Sequence, residues 1–280
     1  MSHPPIRLPR WLGTPSPKTR SRDGEREDKP AFLIYEWDEH SFAPKPQESR
    51  QRAEDVMRRL PERGVVLILG VPGQGKSTLL KEWQKNLERP TLLGECGLLT
   101  ELENRADILL EILRQDSRRK PRQLIEQLEQ GKLEKPVILI DALDELRTHN
   151  RWPSRLAQAV KEASESALVV LSCRTHVWNS QLENLFNKEL SIPQPYTLLG
   201  FTALEQEDYL VQWAEVNEKP KATAKELAKN IKGNAQLKSL AANALLLDLI
   251  ARVALDDTTH AIRLPASRAD FYDRAVENLW

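Results

Sequence analysis

The sequence predicts an α/β fold: a parallel β-sheet flanked by helices, followed by an all-helical subdomain. Three observations predict it. Short, wholly apolar, β-branched runs (Val65 to Leu69, Val137 to Ile140, Leu168 to Leu171) alternate with stretches of helical periodicity. A glycine-rich loop, GVPGQGKST, joins the first of these runs to a helix. After Gly200 the alternation stops and only helical periodicity continues.

The elements follow in chain order. Residues 1–30 hold six prolines among Ser, Thr and mixed charge, so a disordered tail is expected, with a short docking peptide around Ile6 to Leu12 as the alternative. Residues 31–200 read as the α/β core. QESRQRAEDVMRRL is a polar helix with Ala53, Val56, Met57 and Leu60 on one side, broken at Arg63-Gly64. Val65 to Leu69 is a buried strand, and the helix opening at Lys76 turns Leu79, Leu80 and Trp83 inward. TLLGEC at 91–96 is a second strand, and helices are expected over 104–114 and 121–129. Strand 137–140, a helix over 153–167 with Leu156, Ala159, Val160 and Ala163 on one face, strand 168–171 and a last strand at 196–199 complete the core. Residues 201–280 carry four helical patterns, LEQEDYLVQWAEV, ATAKELAKNI, AQLKSLAANALLLDLIARVA and SRADFYDRAVENLW. The last ends with its apolar face still running, which suggests a fragment of a longer protein or a face that meets a partner.

Composition narrows the class. Of 280 residues, 40% are hydrophobic and 29% charged, as in a folded globular chain. Lys plus Arg equals Asp plus Glu at 41 each, so bulk charge argues against nucleic acid as a partner, a local basic patch aside. Two distant cysteines suit a reducing cytoplasm, and no apolar run approaches the ~20 residues that span a bilayer.

Gly70, Val71, Pro72, Gly73, Gln74, Gly75, Lys76 and Ser77 satisfy G-x-x-x-x-G-K-[ST] between a strand and a helix. Glycines let successive N–H groups turn inward around phosphates, and the helix N-terminus adds donors and partial positive charge. Lys76 is expected at the β and γ phosphates, the Ser77 hydroxyl on Mg²⁺, and Thr78 near the α-phosphate. Asp141 ends a buried strand, where it can hold the Mg²⁺ shell opposite Ser77. Glu145 is expected to orient and deprotonate the attacking water, with Asp144 assisting; capping a helix from Leu146 is the alternative for Asp144. Arg174, after the strand LVVL, can sense the γ-phosphate, or else be solvated or locally paired. Asn187-Lys188-Glu189-Leu190 lacks the aspartate of a guanine-reading N-K-x-D element, so ATP/ADP with Mg²⁺ is the expected nucleotide.

GVPGQGKST, VILIDALDEL, VVLSCRT, YTLLGFT and NALLLDLI, in that order, closely resemble the NACHT branch of the STAND signal-transducing ATPases, over residues from about 50 to 280. The resemblance points to a prokaryotic member or a fragment of one, with an ASCE/AAA-like P-loop NTPase core. It makes Asp141, Asp144 and Glu145 an extended Walker B element, Arg174 a sensor and Gly200-Phe201 the junction into the helical subdomain, which is truncated before a winged-helix region. The family usually carries a proline against the adenine where this chain has Ala244. The resemblance implies slow hydrolysis, a nucleotide-controlled switch, a homo-oligomer in the ATP state and an unknown signal and effector, in signalling or defence. Two further readings stand beside it: an AAA-like motor or loader ATPase acting on nucleic acid, and a scaffold with a vestigial site.

Overall fold

The computed structural model describes residues 11–14, 49–98, 108–115, 122–146, 152–190, 192 and 195–255. They fall into two compact units, one of 11–14 with 50–198 and one of 199–255.

In the first unit, seven strands form one sheet. In chain order they are β1 (Trp11–Thr14), β2 (Ser49–Arg52), β3 (Gly64–Gly70), β4 (Thr91–Glu95), β5 (Val137–Asp141), β6 (Leu168–Arg174) and β7 (Tyr196–Leu198), arranged β2-β1-β7-β3-β6-β5-β4. The pairs β3–β7, β3–β6, β6–β5 and β5–β4 are parallel. Their alternate side chains feed two cores, as a strand's two-residue period requires. Val65, Leu67, Leu69, Ile138, Ile140, Val169 and Leu171 pack against α3 (Ile108–Gln115), α5 (Trp152–Ser164) and α7 (Glu183–Glu189). Val66, Ile68, Val137, Leu139, Leu168 and Val170 face α1 (Ala53–Arg58) and α2 (Lys76–Asn86), where Trp83 is fully enclosed. Both faces being covered explains why these strands read as unbroken apolar runs. Between these elements lie α4 (Arg122–Glu129) and a short α6 (Thr175–Val177), which passes through a wide turn into α7. Gly94 lets α3 approach the sheet: a Cβ there would lie 2.6 Å from the Ile112 side chain and 3.0 Å from its carbonyl oxygen.

The structure corrects the sequence reading at several points. Within the segment read as a structureless tail, residues 11–14 add an antiparallel strand to β7, with Leu12 opposite Leu198 and Gly13 opposite Thr197. The outer edge of β7 would otherwise present open backbone groups, and β1 satisfies them. The rest of residues 1–30 lies outside the described residues. The helix read from Gln47 begins only at Ala53, because Ser49–Arg52 is a strand. Strand β6 continues three residues beyond Leu171, in register with β3 through the pair Gly70–Arg174.

The second unit is helical: α8 (Ala203–Val216), α9 (Lys221–Gly233), α10 (Ala235–Ala241) and α11 (Ala244–Leu255). Leu210, Trp213, Leu227, Ile231, Leu240, Leu247 and Ile250 form its core. Thr202 and Glu205 make a reciprocal capping box at the start of α8. The pattern read as one helix through AQLKSLAANALLLDLIARVA is two. Asn243 separates them, its side-chain oxygen accepting from the Leu245 and Leu246 amides at 3.1 and 3.3 Å. The helix expected in SRADFYDRAVENLW lies outside the described residues. Among the described residues, no helix is long and apolar enough to cross a membrane.

Candidate active site

Parallel strands end together, so the sheet gathers the sequence-predicted residues at one edge. Register places Gly70 beside Arg174 and Glu95 beside Asp141. The strand carrying Asp141 is not next to the strand carrying the glycine loop, because β6 lies between them. Open α/β sheets bind ligands at this C-terminal edge.

The loop leaves β3 at Gly70 and enters α2 at Lys76. Gly73 and Gly75 sit at φ 72° and 91°, a region in which a side chain would be strained. No side chain caps α2. Its first turn therefore presents backbone N–H groups and the positive end of the helix dipole to the space above the loop. Lys76 Nζ donates to the carbonyls of Gly70 and Val71, at 3.0 and 3.1 Å. Burial pulls its ammonium below the usual lysine range, while Asp144 and Asp141 pull the other way. A half-buried cation resting on neutral carbonyls is ready to take an anion. Gln74 is buried, whereas Ser77 and Thr78 are exposed at the start of α2.

Asp141 is buried, and its orientation is set from the next strand. Ser172 Oγ donates to Asp141 Oδ1, and the Ala142 amide donates to both Asp141 Oδ1 (2.9 Å) and Ser172 Oγ (3.1 Å). Ala142 reaches this position at φ 56°, an uncommon conformation for a residue with a side chain. Ser77 and Asp141 offer a hydroxyl and a carboxylate, the hard oxygen donors that Mg²⁺ takes, so the residues present fit that ion.

Leu143–Glu145 forms a single 3₁₀ turn, and no helix starts at Leu146. Among the described residues, Asp144 caps no helix there. Both its oxygens are held by Arg174, whose backbone amide donates to Oδ1 at 2.9 Å and whose Nε lies 2.8 Å from Oδ2. The Asp144 side chain is 5% exposed and that of Arg174 42%. Of the two arrangements open to Arg174, this is the locally paired one. Glu145 folds over Gly97, where a Cβ would lie 2.0 Å from Glu145 Oε2. Desolvation, then the charges of Asp144 and Glu95, hold the Glu145 carboxyl above the usual glutamate range. Cys173 is buried and its thiol is pushed up to about 12, chiefly by that burial; Cys96 is likewise raised. Neither is a nucleophile near neutral pH. Asn187 and Lys188 lie exposed on α7 and form no base-reading loop.

Sequence reasoning missed Ser172, Gly97 and Glu95. For Ser172 a signal existed, a hydroxyl interrupting the apolar run LVVLSC. The partners of Gly97 and Glu95 lie far along the chain, and only the strand order brings them together.

Residues 66–193 match the family model described as "ATPase family associated with various cellular activities (AAA)". The match is to that broad family and does not single out the NACHT branch. Among solved structures, domain III of the replication initiation protein DnaA from Thermotoga maritima is similar, with TM-score 0.46 and 15% identity over 81% of this chain and 88% of that one. The Thermotoga maritima RuvB Holliday junction branch migration motor is also similar, with TM-score 0.43 and 14% identity over 81% of this chain and 67% of that one. No curated protein matches the sequence.

Proposed function

We propose that this chain, which carries a P-loop NTPase domain of the AAA type over residues 66–193, is a Mg²⁺-dependent ATPase module of a motor or loader acting on nucleic acid. The observation that carries the ATPase reading is the meeting of Lys76, Asp141 and Glu145 at one sheet edge, each on a different structural support. The triphosphate lies over the loop, and Lys76 exchanges its bonds to Gly70 and Val71 for phosphate oxygens. Ser77 and Asp141 would hold Mg²⁺, which would supply charge neutralisation to the phosphates. Glu145 takes the proton of the attacking water, its raised carboxyl pKa making it a stronger base than an ordinary glutamate. Arg174 reaches the γ-phosphate by leaving Asp144, or a neighbouring subunit of a homo-oligomer supplies that arginine.

The AAA match supports the motor or loader over the NACHT switch; the ordered set of five motifs supports the switch. DNA discriminates them. In a coupled ATPase assay, Lys76→Ala should lose tight ATP binding, and Glu145→Gln should keep ATP bound while turnover falls roughly 10²-fold or more. Wild-type turnover should rise on addition of DNA. An unchanged rate with DNA overturns the motor reading, and retained affinity in Lys76→Ala overturns the phosphate site itself.

A further inference from the structure

The molecule is neutral overall, yet its helical unit is sharply divided in charge. Residues 200–218 hold five acids and no Lys or Arg, whereas residues 219–247 hold six lysines and one acid. Most of those lysines fall on α9. Its apolar positions Ala224, Leu227, Ala228 and Ile231 are buried in the unit's core, and Lys221, Lys225, Lys229 and Lys232 are exposed. At 100° per residue these four lie within about 80° of one another, a single stripe along about 16 Å of helix.

A charge stripe on a surface helix is ordinarily a solvated face balanced by its neighbours. Here the balance is partial. Lys221 pairs with Glu215 of α8, and Glu205 is committed to the Thr202 capping box. Lys225, Lys229 and Lys232 form no ion pair with a described residue. Their spacing of three and four residues places the three lysines about 4.5–6 Å apart along the helix axis. A polymer carrying one charge per unit meets such a row with several contacts at once. A membrane surface does not fit, because an interfacial helix inserts an apolar face, and Leu227 and Ile231 are 0% and 1% exposed within the core.

We propose that the Lys225, Lys229 and Lys232 stripe of α9 is a binding site for the phosphodiester backbone of a nucleic acid, read without regard to sequence. The site rests on the motor or loader reading and names the surface that would hold the strand. Such contacts are positioning contacts, and each one releases counterions.

The test is binding of fluorescein-labelled mixed-sequence DNA, single-stranded and duplex, and of the matching RNA, by the full chain across a salt series. The triple variant Lys225→Gln/Lys229→Gln/Lys232→Gln should bind at least tenfold more weakly. Its slope of log affinity against log salt should shrink by roughly 2–3, at about 0.7–0.9 per phosphate contact. Basal ATP turnover should stay unchanged, which also shows that the variant folds. A control lacking the exposed Lys132, Lys161 and Lys188 should bind as wild type. Equal losses in variant and control, or an unchanged slope in the variant, overturn the stripe while leaving the motor reading intact. A wild-type chain that hydrolyses ATP but binds no nucleic acid overturns both. Binding to phosphatidylserine vesicles in place of nucleic acid overturns the proposal in favour of a lipid surface.

Discussion

Gly97 decides where the Glu145 carboxylate can lie. A methyl group there would overlap Oε2, so Gly97→Ala must displace the proposed base by about an ångström or more. Displacements of that size at a reacting group cost on the order of 10²-fold in rate. Gly97→Ala should therefore slow single-turnover hydrolysis by at least tenfold while ATP affinity, measured by titration, stays within twofold. A parallel loss of affinity would show that the loop itself had moved. Glu145 also fixes a pH dependence. Its carboxyl is raised, so the protonated, inactive form persists to higher pH than for an ordinary glutamate. Turnover should fall, as pH is lowered, at a midpoint above the usual ~4.3. In Glu145→Gln that acid limb should vanish from the residual rate; a limb that stays in place belongs to another group.

At the scale of elements, the break between α10 and α11 carries a consequence for Ala244. It is the first residue of α11, preceded by the capping Asn243. This is the helix position that tolerates proline best, since the amide there has no intrahelical partner. Ala244→Pro should thus leave stability unchanged or raise it by about 0.4–1 kcal/mol. Asn243→Ala removes a buried cap and should cost about 1 kcal/mol. Urea unfolding followed by the tryptophans measures both, and destabilisation by Ala244→Pro would place the helix start elsewhere. At the opposite end of the sheet, Arg89 ties three segments together. It donates to the carbonyls of Pro61, Glu62 and Lys135, and Lys135 pairs in turn with the Glu62 side chain. The starts of β3, β4 and β5 are thereby tied together by one side chain.

For the whole molecule, the parts written in local pattern were legible. The apolar strands, the glycine loop and the inward faces of α2 and α5 lie where periodicity puts them, because burial on both faces leaves few other choices. Asp141 and Lys76 were legible because their motif is contiguous. What sequence could not give depends on strand order. With β6 between β3 and β5, Ser172 meets Asp141 and Arg174 meets Asp144, and neither pairing has a local signal. The break at Asn243 was missed for a different reason: two helices with apolar faces in phase read as one. β1 was missed because four residues among prolines carry no period at all.

That first strand also sets a clock for biosynthesis. Residues 11–14 leave the ribosome before every other strand of the sheet, yet their partner β7 is made only after all of them. At ~5–20 residues per second, the chain from Leu12 to Leu198 takes ~10–40 s to be made. For that interval the Trp11–Thr14 segment has no β7 to pair with, and β1 and β2 can join the rest of the sheet only once β7, which alone links them to β3, has been made.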